Sequence, residues 1–233
     1  MAHPALEGTY RVTVARRALD IVVGSTLLVV TAPVLLTAAL LVLVTDGRPV
    51  LFRQERIGEG GVPFRLTKLR TMRASDSGAG VTTQGDSRVT PIGALLRRTS
   101  IDELPQVWDV VRGRMTLVGP RPESASLAER YPAGCRAVLQ ARPGLTGPAQ
   151  LTYRERSAIP PQGWGDVEEW YLTTMVPLRV QADLSYLRRP TITATIRMLW
   201  LTAMFVVGLV DLEAASSADS RRLATAPQRA TND

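Results

Sequence analysis

From Ile21 to Val44 the chain runs 24 residues without a charge. As one helix that run is about 36 Å long, enough to cross the hydrocarbon core of a bilayer. Pro33 stands in its middle, where it removes a helix hydrogen bond and kinks the axis, with Thr31 placed to re-satisfy a freed carbonyl. Arg11, Arg16 and Arg17 precede the run and Arg48, Arg53 and Arg56 follow it, so the positive-inside tendency draws both ends to the cytoplasmic face. A re-entrant helix-break-helix that dips into one leaflet satisfies both facts; a Pro-kinked spanning helix is the alternative. The run is too long for a cleaved signal peptide, and no small-residue cleavage site precedes Asp46-Gly47-Arg48. A second apolar stretch, Met198 to Val210, is too short to span and reads as an interfacial segment. Glu213 to Asp233 has no apolar period and is expected to be disordered.

Between these segments the pattern changes to short elements. Phe52 to Gly58 and Pro63 to Arg70 read as two strands joined by the Gly-rich turn Gly58 to Gly61. Ala74 to Ser87 is rich in Gly, Ser, Asp and Thr and reads as a mobile loop. Pro91 to Arg98 predicts a short helix, and a second begins at Thr99 to Glu103, with Leu104, Val107, Trp108 and Val111 at helical spacing and Gly113 as its stop. Gly119-Pro-Arg-Pro122 must be extended or turned, because each proline disfavours helix at the residue before it. Glu123 to Gln140 resumes helix in pieces, and Arg142 to Gln150 reads as a glycine-punctuated loop running into a strand. The expected fold is α/β, mainly α. Residues 1–17 are expected to form a cytoplasmic segment, 18–45 the re-entrant membrane helix, 46–212 a small cytoplasmic domain with a β-hairpin and interfacial amphipathic helices, and 213–233 the tail.

Composition narrows the chemistry. The 28 Lys+Arg against 21 Asp+Glu give a net charge of +7, and the carriers are mostly Arg, which suits phosphate groups or anionic lipid. Aromatic residues are 5% of the chain and no basic run is interleaved with them, so a nucleic-acid stacking platform is not expected. One cysteine, Cys135, and one histidine, His3, leave no disulfide framework and no plausible zinc ligand set. Cys135 reads as a packed small side chain, and any metal would be a hard cation on oxygen ligands.

Asp102 and Glu103 are adjacent at a helix start, and Ser100 with Glu103 matches a capping box. Pro105 argues for a start nearer Asp102, which would put both carboxylates on free N–H groups where the helix dipole keeps them ionised. Arg97, Arg98 and Arg121 are close in sequence, and Lys68, Arg70 and Arg88 can fold toward them. An ionised carboxylate, a second one able to hold a divalent cation, and several cations are the parts that phosphoryl transfer needs. A non-catalytic membrane scaffold or a tethered nucleic-acid binder would use the Arg surface but would not need the carboxylate pair.

The runs Asp86-Ser-Arg-Val-Thr-Pro-Ile-Gly93, Leu95-Leu-Arg-Arg-Thr-Ser-Ile-Asp-Glu-Leu-Pro-Gln106, Gly113-Arg-Met-Thr-Leu-Val-Gly-Pro-Arg-Pro122 and Arg142-Pro-Gly-Leu-Thr-Gly147 closely resemble the bacterial sugar transferase family, the monotopic phosphoglycosyl transferases. The resemblance extends from about Arg11 to Leu212 and includes the apolar segment with its proline. It implies an enzyme in which Asp102 attacks the sugar-bearing phosphate of a UDP-sugar, UMP leaves, and a polyprenyl phosphate takes the sugar-phosphate from the aspartyl intermediate. It implies Mg2+ on Glu103, phosphate contacts from Lys68, Arg97 and Arg121, weaker assignments for Arg88, Arg98 and Gln150, and an Asp at the place of Asp183. One departure stands out: where the family usually has an Asp before its last apolar segment, this chain has Thr193-Ala-Thr-Ile-Arg197. Multi-span phosphoglycosyl transferases share the reaction but need many apolar segments. The sugar and the oligomeric state, a homodimer included, are left open by the sequence.

Overall fold

The computed structural model describes residues 10–73, 86–153 and 166–206. His3, most of the 74–87 loop, the end of the second apolar stretch and the 213–233 tail lie outside them.

Helix α1 is Val14–Asp46, capped at its start by Thr13, whose hydroxyl accepts from Arg16 N. The break expected at Pro33 is not there: the helix runs through it. A proline removes one main-chain bond and kinks a helix without having to end it. The hydroxyls of Thr31 and Thr37 back-bond to the Leu27 and Pro33 carbonyls on either side. Thr31 thus reaches the Leu27 carbonyl rather than the Val29 carbonyl that Pro33 leaves without a donor.

Both ends of α1 sit on the globular body. Near its start Arg16, Asp20 and Gly24 are buried, and near its end Ala38 and Val42 are buried. Between them Val29, Val30, Leu36 and Leu40 are exposed. This is one helix, among the described residues, long and apolar enough to cross a membrane.

The hairpin forms as expected. Strands β1, Leu51–Ile57, and β2, Pro63–Leu69, pair antiparallel from Leu51 opposite Leu69 to Ile57 opposite Pro63. Its turn needs glycine: Gly60 and Gly61 have φ of 70° and 78°. Helix α2, Pro91–Thr99, starts at Thr90, whose hydroxyl accepts from Gly93 N and donates to Asp46 at the end of α1. Helix α3, Val107–Arg112, ends at Gly113 with φ 81°. Its buried face is Val107 and Val110; Trp108, one of the apolar residues at helical spacing, is 49% exposed and stacks under the Arg112 guanidinium.

A second, parallel pair joins β3, Thr116–Val118, to β4, Gly144–Thr146. Residues 142–150 therefore run out of a short strand into helix α5, Pro148–Thr152, not into a strand. Helix α4, Ala125–Glu129, and a 3₁₀ helix, Ala133–Gln140, fill the connection. Helix α6, Val167–Trp170, continues through a π turn into α7, Val176–Leu187. Helix α8, Ile192–Val206, leaves Ile196 and Trp200 exposed. The main core gathers Met115, Leu117, Val118, Val110, Trp170 and Val176, with Cys135 packed among them. A smaller cluster of Ala38, Val42, Leu69 and Leu96 seals the end of α1 to the hairpin and α2.

Candidate active site

Asp102 and Glu103 lie in a six-residue 3₁₀ stretch, Ile101–Gln106, that runs on into α3. Ser100 is in the left-handed region at φ 58° and its side chain makes no cap bond, so the capping box does not form. Pro105 inside the stretch disfavours a regular α-turn. The expectation that a helix dipole keeps Asp102 ionised fails with it. Asp102 is 5% exposed, and burial first, then Glu103, push its carboxyl up from 3.8 to about 6. Lys68, Arg97 and Arg121 act against that rise.

Those three cations come from separate elements. Lys68, the only lysine of the chain, is on β2 with its ammonium 5.4 Å from the centre of the Phe52 ring. Burial and then Arg97 lower its pKa, while Asp102 and Glu103 favour its charge. Arg97, on α2, is held by Nε to Thr71 Oγ1 at 2.9 Å and Nη2 to Met72 Sδ at 3.2 Å. Arg121 stands in the extended segment after β3 and donates Nη2 to Glu103 Oε1 at 3.2 Å. A low-dielectric carboxylate thus faces three cations, with a second carboxylate beside it.

The other sequence candidates are engaged elsewhere. Arg70 closes the end of α1, donating to the carbonyls of Asp46, Gly47 and Arg48. Arg88 pairs with Asp86, Nη2 to Oδ2 at 2.6 Å, and holds that carboxyl down at about 2. Arg98 is exposed on α2. Asp183, on α7, is 4% exposed, accepts from Ala149 N at 3.0 Å, and is raised by burial to about 7. Gln150 Oε1, on the adjoining turn, is buried without a hydrogen-bond partner. Pro33 is far along α1, within the uncovered middle of that helix.

Asp183 and Arg121 share a cleft with Glu123, Tyr131 and Arg179. Glu123 is the hub there: it accepts from Tyr171 at 2.6 Å, Tyr131 at 3.0 Å, Ser124 N at 3.0 Å and Arg56 at 3.4 Å, while Arg179 donates to the Tyr171 hydroxyl at 2.7 Å. Sequence reading missed this network and the buried Arg16 and Asp20. The signal for the latter was available: an Asp and an Arg spaced i, i+4 at the mouth of an apolar run are costly there unless something partners them. Within the Thr193–Arg197 stretch, Thr195 is buried and bonded to the Tyr186 hydroxyl at 2.7 Å.

Among the described residues no group of three or more metal-ligating side chains comes together. Two adjacent carboxylates with oxygen donors only fit a hard cation that draws its remaining ligands from a substrate's phosphates.

The bacterial sugar transferase family model matches residues 11–208, and the chain belongs to that family. A UDP-glucose:undecaprenyl-phosphate glucose-1-phosphate transferase of Caulobacter vibrioides is 48% identical over 145 residues, 60% of this chain and 54% of that protein. One of the same name from Escherichia coli is 37% identical over 193 residues, 80% of this chain and 39% of its own length. A UDP-N-acetylgalactosamine-undecaprenyl-phosphate N-acetylgalactosaminephosphotransferase of Aeromonas hydrophila is 34% identical over 143 residues, 59% of this chain and 34% of that protein. The chain thus spans about half or less of these relatives' length.

Proposed function

We propose that the chain transfers a sugar-1-phosphate from a UDP-sugar to undecaprenyl phosphate or a similar polyprenyl phosphate, with Asp102 as nucleophile. The observation that carries the reading is the convergence of Lys68, Arg97 and Arg121 on buried Asp102 and the half-buried Glu103 beside it. The relatives' names support the donor and acceptor classes.

An Asp102 oxygen attacks the phosphorus that bears the sugar, the bond from that phosphorus to the oxygen bridging the two phosphates breaks, and UMP departs with that oxygen. The polyprenyl phosphate oxygen then attacks the same phosphorus and frees Asp102, leaving a lipid diphosphate-sugar. Arg121, Arg97 and Lys68 hold the phosphates and oppose the charge that gathers on the transferring group. Glu103, with Asp102 beside it, would hold Mg2+, which when bound neutralises the donor diphosphate. A carboxyl held near 6 is still mostly ionised at neutral pH, and burial leaves it weakly solvated and basic, as a nucleophile should be.

The membrane reading follows from α1. Its two ends rest on one body while its middle bares Val29, Val30, Leu36 and Leu40. A body that stays outside the hydrocarbon can hold both ends only on one side, which supports entry from the cytoplasmic face by an unbroken helix whose bare middle sits in one leaflet, with exposed Trp200 of α8 at the headgroups.

Incubation of the protein with a labelled UDP-sugar and Mg2+, without acceptor, should release UMP and leave an adduct of sugar-phosphate mass on the peptide containing Asp102. Near-normal turnover by Asp102→Asn, or strict dependence of the first UMP on acceptor, would defeat the assignment.

A further inference from the structure

The head of α1 carries two of the most deeply buried charged side chains among the described residues: Arg16 is 3% exposed and Asp20 1%. Asp20 accepts from Leu117 N at 2.9 Å and from Thr116 Oγ1 at 2.8 and 3.0 Å. One turn earlier, Arg16 Nη2 donates to Val118 O at 2.8 Å, with its guanidinium 5.3 Å from the centre of the Tyr186 ring. Each of the three residues of β3 is therefore bonded to the head of the membrane helix, and the strand is also paired to β4, a pairing that continues past the strand end through Gly119 N to Thr146 O and Gly144 N to Pro120 O. Arg121 is the next residue. Beside Arg16, Arg17 donates to the Val110 and Val111 carbonyls at 2.6 Å each, closing the helix that runs on from Asp102 and Glu103.

Apolar side chains alone would hold α1 against β3 without the cost of burying an Asp and an Arg. What they would not supply is a fixed register, since a smooth apolar stripe permits sliding and a bond to one particular amide does not.

We propose that Asp20 and Arg16 are positioning residues of the transferase, fixing β3 and through it the station of Arg121 against the Asp102–Glu103 pair. This rests on the phosphoglycosyl-transfer reading above. The head of the membrane helix then acts on the rate of chemistry as well as on attachment.

The test is a mutant cycle on the full chain in lipid nanodiscs, followed by UMP release. Asp20→Ala should lower kcat on the order of ten- to a hundredfold, as a small misplacement of a catalytic group does, with KM for the donor moving less. Asp20→Asn, which keeps an oxygen acceptor for Leu117 N, should recover most of that loss. In an Arg121→Lys background Asp20→Ala should cost far less than in the wild type, because a residue that acts through Arg121 has little left to misplace. Equal fold-losses in both backgrounds, or full activity of Asp20→Ala, would overturn the proposal. If Asp20→Ala does not fold, Thr116→Val removes one donor at constant shape and takes its place in the cycle. Hydrogen exchange read at Leu117 to Arg121 needs no substrate: it should quicken in the Asp20 or Thr116 variant, and unchanged exchange there would also sink the proposal. Absence of wild-type turnover on every UDP-sugar would instead refute the reaction, with the exchange result still deciding whether Asp20 holds this segment.

Discussion

Replacing the proposed nucleophile should make the protein more stable. Asp102 is 5% exposed and its carboxyl is raised from 3.8 to about 6, by burial and by Glu103. Two units correspond to about 3 kcal/mol against the ionised form in the folded chain. The sign follows from proton binding: between about pH 4 and pH 6 the folded state holds the Asp102 proton more tightly than the unfolded state, so stability falls as pH rises through that window and stays reduced above it. Asp102→Asn has no charge to desolvate. It should gain well under about 1 kcal/mol over wild type at pH 4 and approach about 3 kcal/mol by pH 7.5. For a domain of this size that difference is a rise in Tm of roughly 6–12 °C. Asp183, raised to about 7, is present in both proteins, so comparing them at each pH removes its contribution. The assay is thermal unfolding followed by intrinsic fluorescence in one detergent across that pH range. An Asp102→Asn protein no more stable than wild type at pH 7.5, or an advantage of equal size at pH 4, would refute the account of a carboxylate held in the body of the protein at an energetic cost.

Other outcomes follow from the same geometry. Chelation of divalent cations should abolish UMP release and added Mg2+ restore it; undiminished turnover in excess chelator contradicts the role given to Glu103. In a Cys135→Ala background, Val12→Cys and Arg48→Cys should both react with a membrane-impermeant maleimide only from the cytoplasmic side, and periplasmic labelling of either would exclude the re-entrant reading. Gly93→Ala should destabilise by roughly 1–3 kcal/mol or more, because a Cβ there would come within 2.1 Å of the Thr71 carbonyl oxygen, a backbone atom that cannot step aside; an unchanged Tm would show that α2 can shift freely. Below about pH 6 the rate of the first step should fall tenfold per unit as Asp102 takes up its proton, and a flat profile down to pH 5 would argue for another nucleophile.

What could be read in the chain was what is local. The apolar run, the hairpin and its Gly60–Gly61 turn, the stop at Gly113 and the extended Gly119 to Pro122 each depend on a few neighbouring residues, and the structure has them. The carboxylate pair was legible for the same reason. Its setting was not. Whether Ser100 caps a helix turned on its left-handed backbone, and whether Asp102 meets water turned on the packing of β2 and α2 around it. Arg70 and Arg88 look like Arg97 in sequence but are taken up by carbonyls at the end of α1 and by Asp86. The β3–β4 pair is three residues a side, too short for any alternation to show. Trp108 fits a helical apolar spacing, yet the face that α3 turns inward is decided by Gly24 of α1, whose absent side chain lets Val107, Val110 and Val111 come close.

The bond between Arg16 and Val118 joins residues 102 positions apart. At roughly 5–20 residues per second of synthesis, the head of α1 waits on the order of 5–20 s after leaving the ribosome before its strand exists. Throughout that interval an arginine and an aspartate at the mouth of the apolar run have only water and headgroups for company, and dragging them through hydrocarbon would cost several kcal/mol. On the membrane reading proposed above, the nascent helix would be held at the surface by the same two side chains that later receive β3. On that reading one pair of residues would set insertion depth and docking at two different times, so a substitution there should show itself first as a defect of biogenesis in pulse-labelled cells, before any catalysis is measured.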